Sequence, residues 1–207
     1  MWESREMSMA ESLIARIKEF LATHPPPNLA PDAMLTVEEF RSFGFTPQAC
    51  FPPVSMEAVE KAERELGLPI PSLLKSLYAD VSNGIEGFGY EIIGLKGGYK
   101  CHCGDLVETY RGFREDKEWK AGLLPFCHRG CNIFSCVDCN SPEHPVFTYE
   151  YPHLAPDERT LDDFFEMWLK GKACHSQGFE MEPVEIINPF TRKKATVYSR
   201  KPKNRDR

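Results

Sequence analysis

Apolar residues recur at helical spacing near the start of the chain. Leu13, Ile14, Ile17, Phe20 and Leu21 share one face. Ser8 and Glu11 have capping-box spacing ahead of them, so the helix is predicted to begin at Ser8. His24-Pro25-Pro26-Pro27 ends it, because proline lacks the amide a helix needs and restricts the residue before it. Thr36 with Glu39 predicts a second, short helix through Phe40, and Phe51-Pro52-Pro53 separates this region from the rest. Residues 1–50 therefore read as a helical extension, either docked on the main domain or loosely tethered to it.

The main body opens with two further helices. After Ser55, the residues Met56, Val59, Ala62 and Leu66 make an apolar stripe, and Gly67 suits the left-handed position that stops it. Leu73, Leu74, Leu77, Tyr78 and Val81 mark the next helix, and Asn83-Gly84 a turn. The period then shortens. Residues 90–95, 123–127, 132–139 and 146–151 read as strands, with a polar helix over 105–119 whose inner contacts are Leu106, Tyr110 and Phe113. Thr160 caps a last helix, with Asp162 and Asp163 at its positive end, Lys170 and Lys172 at its negative end, and Gly171 as terminator. Leu161, Phe164, Phe165, Trp168 and Leu169 form its buried face. Residues 184–187 and 195–198 are predicted to pair as a hairpin around Asn188-Pro189. This order predicts an α+β fold, with one twisted, mostly antiparallel sheet packed on helices. The predicted units are 1–50, 51–185 and a basic tail, 186–207.

Charge sharpens this division. The 207-residue chain has a formal charge of −6, but residues 1–185 carry thirty acids against seventeen bases, and residues 186–207 one acid against eight bases. An acidic body repels a phosphate backbone, so no nucleic-acid partner is expected for it. The basic tail reads first as a solvated terminus. No apolar run approaches the roughly 20 residues of a membrane span. The first residues lack the basic and apolar regions of a secretory signal, so a cytoplasmic location is expected.

Six of the eight cysteines, with two histidines, lie between positions 101 and 139. A zinc site would draw on Cys101, Cys103, Cys127, His128, Cys131, Cys136 and Cys139. Spacing argues against it. Cys136 and Cys139 lie in a run with strand character and are predicted to point to opposite sides. Cys101 and Cys103, two apart on a strand, give a poor bite on one ion. Buried reduced thiols, with no metal or cofactor, are the first expectation. A structural or regulatory zinc module is the alternative.

Catalytic signatures are weak. No histidine is followed two places on by Glu, as a zinc deaminase needs, and no Gly-x-Ser-x-Gly elbow occurs. Gly84-x-x-Gly87-x-Gly89 lacks the Lys and Ser/Thr of a phosphate loop and reads as a place of close backbone approach. His144 and His153 read as surface residues. No enzymatic activity is expected. The acids Asp105, Glu108, Glu115, Asp116, Glu118, Asp138 and Glu143 read either as a surface that steers onto a basic partner or as an ordinary solvated face.

An ordered series of segments carries a family resemblance over residues 54–172. The series comprises Leu66-Gly67-Leu68-Pro69, Asn83-Gly84, Gly94-Leu95, Trp119, Leu124-Pro125-Phe126, Gly130 and the helix bearing Trp168. It resembles the SUKH superfamily, bacterial toxin-immunity proteins related to a fungal cell-wall-synthesis regulator. The resemblance implies an α+β domain that binds rather than catalyses. It also implies a protein partner, a cognate nuclease- or deaminase-type toxin, and the acidic body suits one with a basic surface. The first 50 residues and the basic tail fall outside it.

Overall fold

The computed structural model describes residues 9–23, 50–86, 91–116, 119–130, 132–150, 153–170, 179–187 and 194–202. The chain forms two compact units, Met1–Cys174 and His175–Arg207. The predicted boundary at 185 falls inside a strand of the second unit.

In the first unit, α1 (Met9–Thr23) packs on the last helix of the unit and on the Leu77–Val81 turn. Leu13, Ile14 and Ile17 are buried, so this helix is docked. The predicted start at Ser8 and the helix at 36–40 lie outside the described residues. Helix α2 (Met56–Leu66) follows Ser55, whose side chain caps it by accepting from the Ala58 amide, and ends at Gly67 with φ 68°. Val59, Ala62 and Leu66 are buried as predicted. Met56 is 45% exposed, because its place in the first turn lies beyond the packed part of the stripe.

Helix α3 (Ser72–Ser76) runs into a π-helical turn, Leu77–Val81, closed by the Ser82 amide on the Leu77 carbonyl at 2.9 Å. The wider turn places Tyr78 in the core, where its hydroxyl donates to the Ile93 carbonyl at 2.8 Å. Helix α4 (Leu106–Arg114) is shorter than the predicted 105–119. Helix α5 (Leu161–Leu169) has the predicted Thr160 cap, completed by Asp163 as a capping box.

The sheet is an antiparallel meander in the order β1-β2-β3-β4-β5, comprising β1 (Glu91–Ile92), β2 (Leu123–His128), β3 (Ile133–Asp138), β4 (Pro145–Glu150) and β5 (His153–Thr160). Helices cover both faces. Phe134 and Tyr149, cross-strand partners, meet Phe113 of α4. Phe126 meets Phe164 of α5 with ring centroids 4.9 Å apart. Every residue of β3 is buried in consequence, Ser135 and Asp138 included, so it lacks the exposed alternate positions of a half-solvated strand.

Two sequence expectations need correction. The first predicted strand shrinks to Glu91–Ile92, because after Ile93, whose amide still bonds Phe126 of β2, Gly94 bonds Tyr99 and Leu95 bonds Asn83. The sheet also has an edge strand, β5, that the pattern did not reveal. Its His-Leu-Ala-Pro-Asp-Glu-Arg-Thr sequence has little apolar alternation, and Pro156 is tolerated because it lies on an edge.

The second unit is a hairpin of β6 (Phe179–Ile187) and β7 (Lys194–Pro202), with Ile187 opposite Lys194. It is the predicted hairpin, extended in both directions.

Candidate binding surfaces

The predicted acids divide between internal work and the surface. Asp105 is 5% exposed and caps α4, accepting from the Val107 and Glu108 amides at 3.1 Å each. Glu108 returns the bond by accepting from the Asp105 amide at 2.9 Å. That amide, followed by Lys100 at 3.0 Å, holds the Glu108 carboxyl below its ordinary range. Both acids line a groove of about 360 Å3 between α2 and α4, which also holds Lys61, Glu65, Lys96, Lys100 and Arg111. Arg111 meets Glu65 at 3.4 Å. The groove is therefore of mixed charge rather than an acidic stripe.

Asp138 is also an internal acid. It is 8% exposed, bonds Lys120 at 2.8 Å and accepts from the Asn140 amide at 3.0 Å. Burial pushes its carboxyl up, but Lys120 and backbone donors outweigh this and hold it below its ordinary range. Asp116 accepts from the Tyr149 hydroxyl at 3.2 Å. Glu115 and Glu143 are exposed, and Glu118 lies outside the described residues.

Asp116 belongs to a second hollow, of about 510 Å3, lined by Leu66, Gly67, Leu68, Tyr110, Arg114, Trp119, Ala121, Gly122 and Asn140. Four residues of the family series, Leu66, Gly67, Leu68 and Trp119, thus line one hollow. Other members of the series hold the fold. Asn83 Nδ2 donates to the Leu95 and Lys96 carbonyls at 3.3 and 3.4 Å, and its Oδ1 accepts from the Leu95 amide at 2.8 Å. Gly84 has φ +89°, and a Cβ there would lie 2.7 Å from Gly94 Cα, so the predicted close backbone approach is present at Gly84, while Gly87 and Gly89 lie outside the described residues. Pro125 adjoins the β2 bulge, Gly130 lies in the β2–β3 turn, and Trp168 packs on Phe20 of α1. Pro69 is exposed after α2.

The cysteine cluster splits in two. Cys127 and Cys136 are 0% exposed and Cys139 5%, all within the apolar core. Burial pushes all three thiols up, Cys139 to about 12. Cys139 lies past the end of β3 on a turn, so the predicted alternation does not govern the Cys136–Cys139 pair. Cys101 and Cys103 also depart from expectation. They sit on a tight turn rather than a strand, with the Cys101 and Gly104 backbones bonded both ways at 3.1 and 2.9 Å. Cys131 lies outside the described residues.

His144 is a further correction. It is half-buried, and its Nδ1 lies 3.3 Å from the Asp138 carbonyl while its own carbonyl accepts from the Leu161 amide at 3.0 Å. His153 is exposed. Sequence reasoning also missed a buried polar group under α5. Asp157 accepts from Arg159, at 2.8 Å through Nη2, and from the Thr148 hydroxyl at 3.2 Å, and Arg129 donates to that hydroxyl at 3.1 Å. The only sequence sign was an acid and a base two apart, on one face of the strand.

Residues 53–171 match the SMI1/KNR4 family (SUKH-1). The chain belongs to this family. Among curated proteins none matches the chain. The SUKH-1 segment contains α2 through α5 and the whole five-stranded sheet; α1 and the hairpin lie outside it. Among the described residues, no helix is long and apolar enough to cross a membrane.

Proposed function

We propose that the SUKH-1 segment is a non-catalytic binding domain that neutralises a cognate toxin by direct association. The observation that carries this reading is the family match over 53–171; Leu66, Gly67, Leu68 and Trp119, which carry the sequence resemblance, line one hollow within it. Charge supports a basic partner, since the same segment holds twenty acids and twelve bases. With Asp105 and Asp138 engaged internally, Glu115, Asp116 and Glu143 are the acids for the partner, and half-buried Trp119 supplies an aromatic anchor of the kind that dominates interfaces.

The test is co-expression with the product of the adjacent gene. A stable complex and loss of that product's toxicity are expected, with association slowing as salt is raised. No association, or association with toxicity intact, overturns the reading.

A further inference from the structure

The Cys101–Gly104 turn brings three metal-ligating side chains together. The Cys101 Sγ, a His102 ring nitrogen and the Cys103 Sγ all lie within 4.8 Å of one another. Ligands of one tetrahedral zinc at about 2.0–2.3 Å are roughly 3.5 Å apart, so side-chain rotation closes the difference. The turn is already fixed by its two backbone bonds, and it leads directly into the capped start of α4.

A second, independent observation lies across the sheet edge. The His128 ring is 4.9 Å from the His102 ring, centroid to centroid. Its Nδ1 meets the Glu91 carboxylate at 2.5 Å. Its Nε2 is buried and has no hydrogen-bond partner among the described residues. A carboxylate on one ring nitrogen orients the imidazole, and with Nδ1 protonated it leaves a lone pair on the other. This is the usual support of a metal-ligating histidine. A buried nitrogen with no partner otherwise carries a desolvation cost.

We infer that Cys101, His102, Cys103 and His128 form a zinc site, with Glu91 positioning His128. The site is independent of the toxin-binding reading. Thr109 Oγ1 lies 3.6 Å from the Cys101 sulfur and donates to the Gly104 carbonyl at 3.3 Å, which packs the turn onto α4. Bound zinc would tie the turn before α4 to β2, through ligands contributed by both.

The test uses the full chain. Zinc content is measured after expression with zinc and purification without chelator. Cobalt(II) is then titrated into chelator-stripped protein and followed by its tetrahedral d–d and sulfur-to-cobalt bands. About one zinc per chain and a tetrahedral cobalt spectrum with thiolate character are expected. Glu91→Gln weakens zinc about 10–100-fold, and Cys103→Ser and His128→Gln weaken it at least as much. Cys50→Ser, at an exposed cysteine outside this set, leaves binding unchanged. The cobalt spectrum of the unaltered chain does not depend on any variant folding. Less than about a tenth of an equivalent of zinc with no cobalt bands overturns the site, as does unchanged zinc affinity in Cys103→Ser or in His128→Gln.

Discussion

The Asn83 carboxamide oxygen accepts from the Leu95 amide at 2.8 Å, and its nitrogen donates back to the Leu95 carbonyl at 3.3 Å, so one side chain replaces a strand pairing. The Asn83 main chain joins in, with its carbonyl accepting from the Tyr99 amide at 3.0 Å. Asn83→Ala leaves the Leu95 amide buried without its acceptor. The expected loss is about 2–3 kcal/mol, read as a lowered urea midpoint. Gly94→Ala is expected to be at least as damaging, because its Cβ would lie 2.3 Å from the Asn83 carbonyl oxygen. Wild-type midpoints for both variants would refute this account.

The Asp105–Glu108 capping box separates structural from binding roles among the acids. Asp105→Asn keeps an acceptor at the helix start and is expected to leave stability nearly unchanged, whereas Asp105→Ala costs about 1 kcal/mol. If Asp105 serves the fold rather than a partner, Asp105→Asn binds the toxin as wild type does. Glu115→Lys and Glu143→Lys, at exposed positions, are expected to slow association. Thermal unfolding and stopped-flow binding measure the two effects separately. A binding defect in Asp105→Asn at normal stability would return that carboxylate to the interface.

Helix α1 is expected to be part of the folded unit although it lies outside the family segment. Ile17 is 0% exposed, and Phe20 meets Trp168 with ring centroids 5.7 Å apart. Ile17→Ala is expected to cost about 2–4 kcal/mol. The Arg16–Glu166 pair, by contrast, joins side chains 48% and 35% exposed, and Arg16→Ala is expected to change stability little. Urea unfolding of both variants decides the matter; an Ile17→Ala chain as stable as wild type would mean that α1 is only tethered.

The helices were legible because their signals are local. Ser55, Gly67, Thr160 and the stripe Leu161, Phe164, Phe165, Trp168 each act within one or two turns of chain. β2, β3 and β4 were legible as short strand-like runs divided by Gly130 and Ser141-Pro142. β5 was not, because its place depends on pairing with β4 rather than on its own pattern. The seven acids looked alike in the sequence. Only tertiary placement distinguishes Asp138, held by Lys120, from exposed Glu143. The cysteines failed for a related reason: a strand assumed at 101–103 is a tight turn, and the Glu91–His128 contact spans 37 residues that no short motif connects.

The core thiols carry a pH consequence whose sign follows from burial. Burial, then the nearby charges of Asp138 and Glu63, raise Cys139 from an ordinary 9.0 to about 12. Below pH 9 the thiol is protonated in both folded and unfolded chains, and its contribution is fully present. Between about 9 and 12 the unfolded chain releases the proton while the folded chain keeps it, so stability falls as pH rises, by about 1.4 kcal/mol per unit for this group. Cys127 and Cys136, also raised by burial, act in the same direction. Urea midpoints at about pH 8 and about pH 10 are expected to drop sharply in the wild-type chain and less steeply in Cys139→Ala. Tyrosines contribute to both chains alike, so the difference isolates the thiol. Equal slopes in the two proteins would mean that Cys139 is not held protonated in the core.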